Sequence, residues 1–159
     1  MDIFDQEILN FWKALYNSGV EYILIGGYAI NLHGYQRFTG DLDIWIKDTI
    51  KNRQALRKAF VACEMGDYPM IERMQFVPGW TEFRLNNSLV LDVLTEMKGL
   101  EKYSFEECLQ MASMADIDGI SIPFLHINQL IANKKAVDRP KDQIDVMALE
   151  QIKRLREES

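Results

Sequence analysis

A stretch of alternating apolar runs and glycines in the first third of the chain constrains the fold more than any other feature. It begins with residues 22–25, an apolar run long enough for one buried strand, and this run ends at Gly26 and Gly27. A segment compatible with a helix follows and would end at Gly34. A second apolar run occupies residues 41–46. The pattern predicts a strand, a glycine turn, a short helix and a second strand.

Two carboxylates open the second apolar run. Residues two apart on a strand face the same side, so Asp41 and Asp43 would project together. Like charges this close repel each other, and a shared Mg²⁺ would remove the repulsion because this ion prefers carboxylate oxygens. The backbone N–H groups of Gly26 and Gly27, at the start of a helix, would suit a phosphate. The combination predicts a site for a nucleoside triphosphate (NTP) and a divalent cation.

The spacing of these motifs also indicates a family. The chain carries IGG at residues 25–27, thirteen further residues, and then DLDI at residues 41–44. This arrangement resembles the signature of the DNA polymerase beta-like nucleotidyltransferase superfamily. The residues RFTG at 37–40 are similar to its small bacterial branch, which includes antibiotic nucleotidyltransferases and nucleotidyltransferase-like partners of toxin–antitoxin pairs. The resemblance implies an α/β (α+β) nucleotidyltransferase fold, with helices flanking a mixed central β-sheet and a helical pair at the C-terminus.

A third carboxylate lies in the apolar run of residues 89–94. A single acid in so hydrophobic a strand is costly unless it is paired, hydrogen-bonded or bound to a metal. Asp92 is therefore a candidate to join Asp41 and Asp43, and the resemblance implies the same, because the superfamily places its third catalytic carboxylate on a later strand. The alternative is an acid at a strand end that faces water. As a metal site, the three carboxylates would hold two Mg²⁺ ions, with Mn²⁺ as an alternative ion.

Basic residues gather near the C-terminus, around a junction between two predicted helices. Residues 134–145 are similar to the small nucleotidyltransferases, in which Lys, then Arg and Lys-Asp, precede an Asp on the last helix. The resemblance implies that Lys134 or Arg139 meets the triphosphate. The alternative is that Asp142 and Asp145 only complement the dipole of the last helix. The predicted nucleotide- and phosphate-binding residues are Gly26, Gly27, Arg37, Thr39, Lys134 and Arg139.

Other patterns place the remaining elements. The sequence predicts a first helix with Asp2 as N-cap and a fourth helix that starts with a capping box at Ser104. The third helix, residues 50–62, is expected to expose a solvated basic face made of Lys51, Arg53, Arg57 and Lys58. Further strands are predicted at 71–77, 81–86 and 89–95, a hairpin at 114–125, and two final helices at 126–137 and 140–156.

Two other residue sets have ordinary structural interpretations. Asp116 and Asp118 repeat the spacing of the carboxylate pair, but they flank a turn that no glycine pair precedes, so they are interpreted as turn acids. Cys63 and Cys108 are isolated and are interpreted as small buried residues in a reducing compartment. Neither set predicts chemistry.

Length and charge limit the classes of function. At 159 residues the chain is expected to form a single domain, 1–159, with a core at about 20–97 and a C-terminal hairpin and helices at about 100–158. The net charge of −6 and the pI of about 5.0 argue against binding long nucleic acid, which needs clustered Lys and Arg. No apolar run is long enough for a membrane span, and the acidic N-terminus is unlike a secretory signal. A cytoplasmic location is expected.

Together these patterns lead to a hypothesis of function. The chain would transfer a nucleoside monophosphate from an NTP to an acceptor hydroxyl on a small molecule, an RNA end or a protein, and would release pyrophosphate. The alternative is a nucleotidyltransferase-like antitoxin that pairs with a toxin and neutralises it by modification or by masking. A homodimer that completes the acceptor pocket is one arrangement open to so short a chain. The acceptor and the base of the NTP are not encoded in any recognisable pattern.

Overall fold

The computed structural model describes residues 5–76, 80–84 and 89–158, in which helices pack against a mixed β-sheet. The strands are β1 Tyr22–Ile25, β2 Leu42–Ile46, β3 Trp80–Arg84, β4 Val90–Leu94, β5 Ser113–Ile117 and β6 Ile120–Phe124. The α-helices are α1 Gln6–Ser18, α2 Gly26–His33, α3 Ile50–Ala62, α4 Phe105–Met111, α5 Ile127–Val137 and α6 Pro140–Glu158. The predicted α/β architecture is confirmed.

The sheet combines parallel and antiparallel pairs in the order β3-β4-β2-β1-β6-β5. The strand β1 runs antiparallel to β2 and parallel to β6, and β2 runs parallel to β4. The register places Asp43 opposite both Ile25 on β1 and Asp92 on β4. Glu82 on β3 is in turn opposite Asp92. Because directly opposite residues share a face of the sheet, three carboxylates lie in one row across three neighbouring strands.

Five of the six α-helices in the described residues pack in two groups. The first consists of α1 and α3, and the rings of Phe11 and Phe60 meet between them with centroids 6.1 Å apart. In the second group, α2 packs against β1, β2, α5 and α6, and the last two helices pack against each other. This confirms the predicted C-terminal helical pair. It also brings the junction between α5 and α6 close to the glycine turn between β1 and α2.

Side-chain caps explain where four of the helices begin. Asp5 caps α1 by accepting a hydrogen bond from a backbone N–H, whereas the predicted cap Asp2 lies outside the described residues. Thr49 caps α3, and the predicted capping box at Ser104 is present at the start of α4. His126 caps α5 through its Nδ1. None of the helices described in the structure is long and apolar enough to cross a membrane.

The strand predicted at residues 71–77 is wrong in the part of that range that the structure describes. Pro69–Glu72 forms a short 3-10 helix, and residues 74–76 have no regular structure. Ile71 is fully buried, so its apolar character reflects a place in the core and not in a strand. Residue 77, and residues 85–86 of the next predicted strand, lie outside the described residues.

Arg53 supplies a physical reason for this difference. It was predicted to lie on a solvated helix face, and that prediction is wrong because the side chain is buried. Its Nε donates to Asp48 Oδ1 at 2.7 Å, and its Nη1 donates to the carbonyl oxygens of Ile71, at 3.1 Å, and Met74. These carbonyls are therefore satisfied by a guanidinium and do not need a neighbouring strand.

Asn52 joins α3 to the beginnings and ends of the central strands, and its loss should be costly. Its Oδ1 accepts from the Glu21 N–H at 2.8 Å, and its Nδ2 donates to the carbonyls of Glu21, at 2.9 Å, and Lys47, at 2.8 Å. We expect Asn52→Ala to lower the free energy of unfolding by about 2–3 kcal/mol, because the Glu21 N–H loses its partner and the carbonyls of Glu21 and Lys47 each keep only a backbone hydrogen bond. For a chain of this size the thermal midpoint should fall by roughly 4–12 °C, measurable by calorimetry. An unchanged midpoint would contradict these contacts.

Candidate active site

The junction between β1 and α2 approaches a carboxylate so closely that only glycine fits. Gly26 has φ of 69°, in the left-handed region, and an ideal Cβ there would lie 2.1 Å from Asp43 Oδ2. A Cβ on Gly27 would lie 2.2 Å from Thr39 Oγ1. The glycine pair thus brings a helix N-terminus against Asp43 and against the segment that precedes β2.

Two of the three predicted carboxylates lie side by side. Asp43 and Asp92 are directly opposite each other on parallel strands, and a hydrogen bond joins their side chains. Asp92 Oδ1 is buried and has no hydrogen-bond partner among the described residues. Asp41 is exposed and lies in a bend immediately before β2, so it does not share the strand as the spacing predicts. The structure therefore pairs Asp43 with Asp92 more closely than with Asp41.

The carboxylates perturb one another's protonation. Burial raises the pKa of Asp43 to about 8, and the hydrogen bond and charge of Asp92 and the charge of Asp41 act in the same direction. Burial also raises the pKa of Asp92, where the charges of Asp41 and Glu82 add to the effect. At neutral pH the pair therefore retains a proton, which a bound cation would have to displace.

Glu82 extends the carboxylate row and is not singled out by the sequence. It lies opposite Asp92 on β3, and its side chain is 38% exposed, with an ion pair to Arg84 at 3.4 Å. Its position depends on the register of the hairpin between β3 and β4, which residue types alone do not fix. The only local signal is that two charged residues, Glu82 and Arg84, stand two positions apart, on either side of Phe83.

A cleft of about 1020 Å³ joins the N-terminal and C-terminal parts of the candidate site. Gly26 and Asp43 line it from one side, and Lys134 and Arg139 line it from the C-terminal helices. The other walls are largely apolar and aromatic and include Trp45, Leu94, Leu100, Tyr103, Phe105 and Val137. A cleft of this size and composition can take a nucleotide. Asp41 and Asp92 lie outside its lining.

Two carboxylates on α6 hold the basic residues in place. Asp142 and Asp145 are 0% and 1% exposed. Lys134 Nζ lies 3.2 Å from Asp142 Oδ1 and 3.6 Å from Asp145 Oδ2. Arg139 Nε donates to Asp142 Oδ2 at 2.6 Å, and Arg37 Nε donates to Asp145 Oδ1 at 2.8 Å. The two acids therefore do more than complement a helix dipole, because they are the buried anions of a network with three cations.

The predicted phosphate-binding residues fall into two sets. The first set lines the cleft and consists of Gly26, Lys134 and Arg139. The second set lies outside the lining and consists of Gly27, Arg37 and Thr39. The guanidinium of Arg37 donates to both oxygens of Asp145 and to the carbonyl of Phe38. Three of its five guanidinium N–H groups thus donate within the protein.

The carboxylate pair has the chemistry that a hard divalent cation requires. Carboxylate oxygens are the preferred ligands of Mg²⁺, which usually keeps water and phosphate oxygens in its shell as well. The unpartnered Asp92 Oδ1 and the raised pKa of Asp43 are both features that a cation would relieve. Within the described residues, no three His, Cys, Asp or Glu side chains are already grouped to hold a metal. Asp43 and Asp92 therefore fit such an ion as a two-carboxylate site.

Solved structures with a similar fold bear the names of nucleotidyltransferases. The lincosamide antibiotic adenylyltransferase LnuA, in its lincomycin-bound form, is 19% identical with a TM-score of 0.60, over 93% of this chain and 97% of that chain. ANT(2")-Ia, in complex with adenylyl-2"-tobramycin, is 18% identical with a TM-score of 0.58, over 94% and 92%. A putative nucleotidyltransferase (TM1012) from Thermotoga maritima is 15% identical with a TM-score of 0.58, over 94% and 88%. At these identities the likeness establishes the fold.

The family comparison covers almost the whole chain. No curated protein matches the sequence. A family described as "Nucleotidyl transferase of unknown function (DUF2204)" matches residues 5–159. This match agrees with the fold and with the superfamily that the glycine and carboxylate motifs predict. The chain therefore belongs to this family of nucleotidyl transferases.

Proposed function

We propose that the protein transfers a nucleoside monophosphate from an NTP to an acceptor hydroxyl and releases pyrophosphate. The observation that carries the proposal is the cleft that Asp43, hydrogen-bonded to Asp92, shares with Lys134 and Arg139. Phosphoryl transfer needs positioning and charge stabilisation more than covalent participation of the protein. Carboxylates for a cation and basic side chains for phosphate meet both needs.

Asp41, Asp43 and Asp92 would hold the divalent cation, with Mg²⁺ or Mn²⁺ as the ion and two ions as the expected number. When bound, the metal would supply positive charge to the phosphates and lower the pKa of the acceptor hydroxyl. Asp92 Oδ1 lacks a partner among the described residues, so it is also available to accept the proton of that hydroxyl. Ionised Asp43 is the form that this chemistry uses.

The remaining site residues would bind and orient the phosphates. The N–H groups at the start of α2, from Gly26 and Gly27, would receive a phosphate, and the lack of a Cβ on either residue leaves room there for the side chains of Asp43 and Thr39. Lys134 and Arg139 would balance the negative charge that builds on the leaving pyrophosphate. Thr39, which contacts Gly27, would complete the phosphate-binding segment.

A small hydroxyl-bearing molecule is the acceptor class that we would test first. The lincosamide adenylyltransferase is lincomycin-bound and ANT(2")-Ia is in complex with an adenylylated tobramycin, so both proteins of similar fold take small acceptors. An RNA end or a protein side chain is the second class. The alternative of an antitoxin-like module that masks a toxin receives no support from the comparisons.

The test is calorimetric titration of the protein with ATP, GTP, CTP and UTP, with and without Mg²⁺. We expect at least one NTP to bind only when Mg²⁺ is present, because the carboxylates and the triphosphate repel each other without it. Asp41→Asn should weaken this binding at least about tenfold, which corresponds to about 1.4 kcal/mol. Asp116→Asn is the matched control, since Asp116 belongs to an exposed Asp-x-Asp pair that no glycine pair precedes.

Two outcomes would refute the proposal. If a folded protein bound no NTP under any condition, the cleft would not be a nucleotide site. If Asp41→Asn bound Mg²⁺-NTP as tightly as Asp116→Asn does, Asp41 would not be a ligand of the cation, and the proposed three-carboxylate site would be refuted.

A further inference from the structure

We propose that Asp145 is a positioning residue that fixes both Lys134 and the segment leading to Asp41, an inference that rests on the proposed function. Asp145 lies on α6 and is not part of the cleft lining. It would act through the residues that it contacts. In metal sites, groups that hydrogen-bond to the metal ligands orient those ligands in the same way.

Both carboxylate oxygens of Asp145 accept hydrogen bonds from Arg37. Arg37 Nε donates to Oδ1 at 2.8 Å, and Arg37 Nη2 donates to Oδ2 at 3.1 Å. The third group of the guanidinium, Nη1, donates to the carbonyl of Phe38 at 2.9 Å. This is the planar two-pronged geometry that a lysine cannot reproduce. Arg37 therefore connects α6 to the segment that joins α2 to β2, and we call this Arg37–Asp145 contact the strut.

This segment connects two parts of the candidate active site. The backbone N–H of Arg37 donates to Asn31 Oδ1 at 3.3 Å, which fixes its beginning to α2. Thr39 lies against Gly27, and Thr39 Oγ1 donates to the carbonyl of Asp41 at 3.4 Å. A change in the strut would therefore displace Thr39 and Asp41 together.

Asp145 also forms an ion pair with Lys134, whose Nζ lies 3.6 Å from Asp145 Oδ2. Lys134 is only 7% exposed, and its Nζ lies between Asp142 and Asp145 while the side chain also lines the cleft beside Asp43. A buried ammonium needs such partners to stay charged and in one orientation. One carboxylate that contacts both Lys134 and Arg37 thus links the phosphate-binding cation to the carboxylate segment.

The experiment compares two ligands in Asp145→Asn, a variant of nearly equal shape that lacks the charge. Tripolyphosphate without metal measures the basic residues, and Mg²⁺ with the NTP that binds the wild type measures the whole site. We expect Asp145→Asn to weaken both at least about tenfold. Arg37→Gln and Arg37→Lys should both weaken Mg²⁺-NTP about tenfold and leave tripolyphosphate within about threefold, because only the strut is lost.

Asn52→Ala controls for a loss of stability alone, because it should lower the thermal midpoint without contacting the basic network. All variants are measured at a temperature where each is folded. If Asp145→Asn folds and binds both ligands as tightly as Asn52→Ala does, the positioning role is refuted while the proposed function stands. If Arg37→Lys binds like wild type and Arg37→Gln does not, Arg37 serves as a charge for phosphate and the strut is refuted. If the wild type binds neither ligand, the proposed function fails together with this inference.

Discussion

Asp43→Asn is expected to lower the rate of nucleotidyl transfer by about a thousandfold or more and yet to stabilise the protein. The loss of rate corresponds to about 4 kcal/mol of transition-state stabilisation, which is in keeping with the role proposed for Asp43 as a metal ligand. The gain in stability arises because Asp43 is buried beside Asp92, where a negative charge on Asp43 lowers the free energy of unfolding. Asparagine keeps the shape and can still hydrogen-bond to Asp92.

The sign of the stability effect follows from the raised pKa. In the unfolded chain Asp43 titrates near 3.8, and in the folded protein its pKa is raised to about 8. Between these values the folded state binds a proton that the unfolded state has released, so the stability of the wild type decreases as the pH rises. The decrease is complete above pH 8. Asp43→Asn lacks this dependence. The difference in free energy of unfolding between the variant and the wild type should therefore be near zero at pH 4 and largest above pH 8.

Thermal unfolding at a series of pH values measures this advantage. We expect a midpoint about 5 °C or more above that of the wild type at pH 8.5, in the absence of divalent cations. Addition of Mg²⁺ should raise the midpoint of the wild type and leave that of Asp43→Asn unchanged, since a ligand stabilises only the form that binds it. Asp116→Asn should follow the wild type throughout. A midpoint of Asp43→Asn that falls at every pH would mean that the carboxylate has a structural role.

The parts of the site that sequence reasoning reached are those encoded by short segments. The glycine turn and the following strand lie within residues 22–46, and hydrophobic runs with a glycine pair specify their order. Asp92 was found because an acid interrupts an apolar run. The structure places it directly opposite Asp43, which is a fact of strand register that no local pattern contains.

The parts that sequence reasoning missed depend on contacts between distant segments. Arg37 and Asp145 are 108 positions apart, so nothing near either residue indicates that one binds the other. In the sequence Asp145 resembles any acid near the start of a helix. The structure shows that it is buried, with 1% exposure. The prediction of a strand at 71–77 is wrong for a related reason, because the guanidinium of Arg53 donates hydrogen bonds to carbonyls of that segment. A tertiary partner overrode local propensity at residues 71–76, whereas Asp145 keeps its predicted helix and gains a partner that local sequence does not encode.

Lys134→Met is expected to cause the largest loss of stability among single changes in the basic network. The side chain is 7% exposed and lies between two fully buried carboxylates, so its removal leaves Asp142 and Asp145 with less compensation. Breaking a buried pair on one side costs about 3–5 kcal/mol, and Arg139 and Arg37 keep the cost toward the lower value. The thermal midpoint should fall by roughly 6–12 °C. Binding of tripolyphosphate should weaken as well.

The pH dependence separates this electrostatic loss from a loss of packing. Burial alone would raise the pKa of Asp142, but hydrogen bonds from Arg139 and the charge of Lys134 lower it to about 2. A lowered pKa stabilises the folded state above the unfolded value of 3.8, and this stabilisation is lost as the pH falls toward 2. The difference in thermal midpoint between the wild type and Lys134→Met should therefore be largest near pH 7 and should decrease below pH 4.

The neighbouring lysine provides a matched control. Lys135 is exposed, and its ion pair with Glu150 at 2.8 Å lies at the surface, where such pairs contribute little. Lys135→Met should shift the midpoint by less than about 2 °C and leave tripolyphosphate binding unchanged. Equal effects of the two substitutions would mean that Lys134 is no more than another surface charge. A large effect of Lys134→Met that does not depend on pH would assign the loss to packing of the side chain. The buried ion network would then be the wrong explanation of how α5 and α6 hold Lys134 at the cleft.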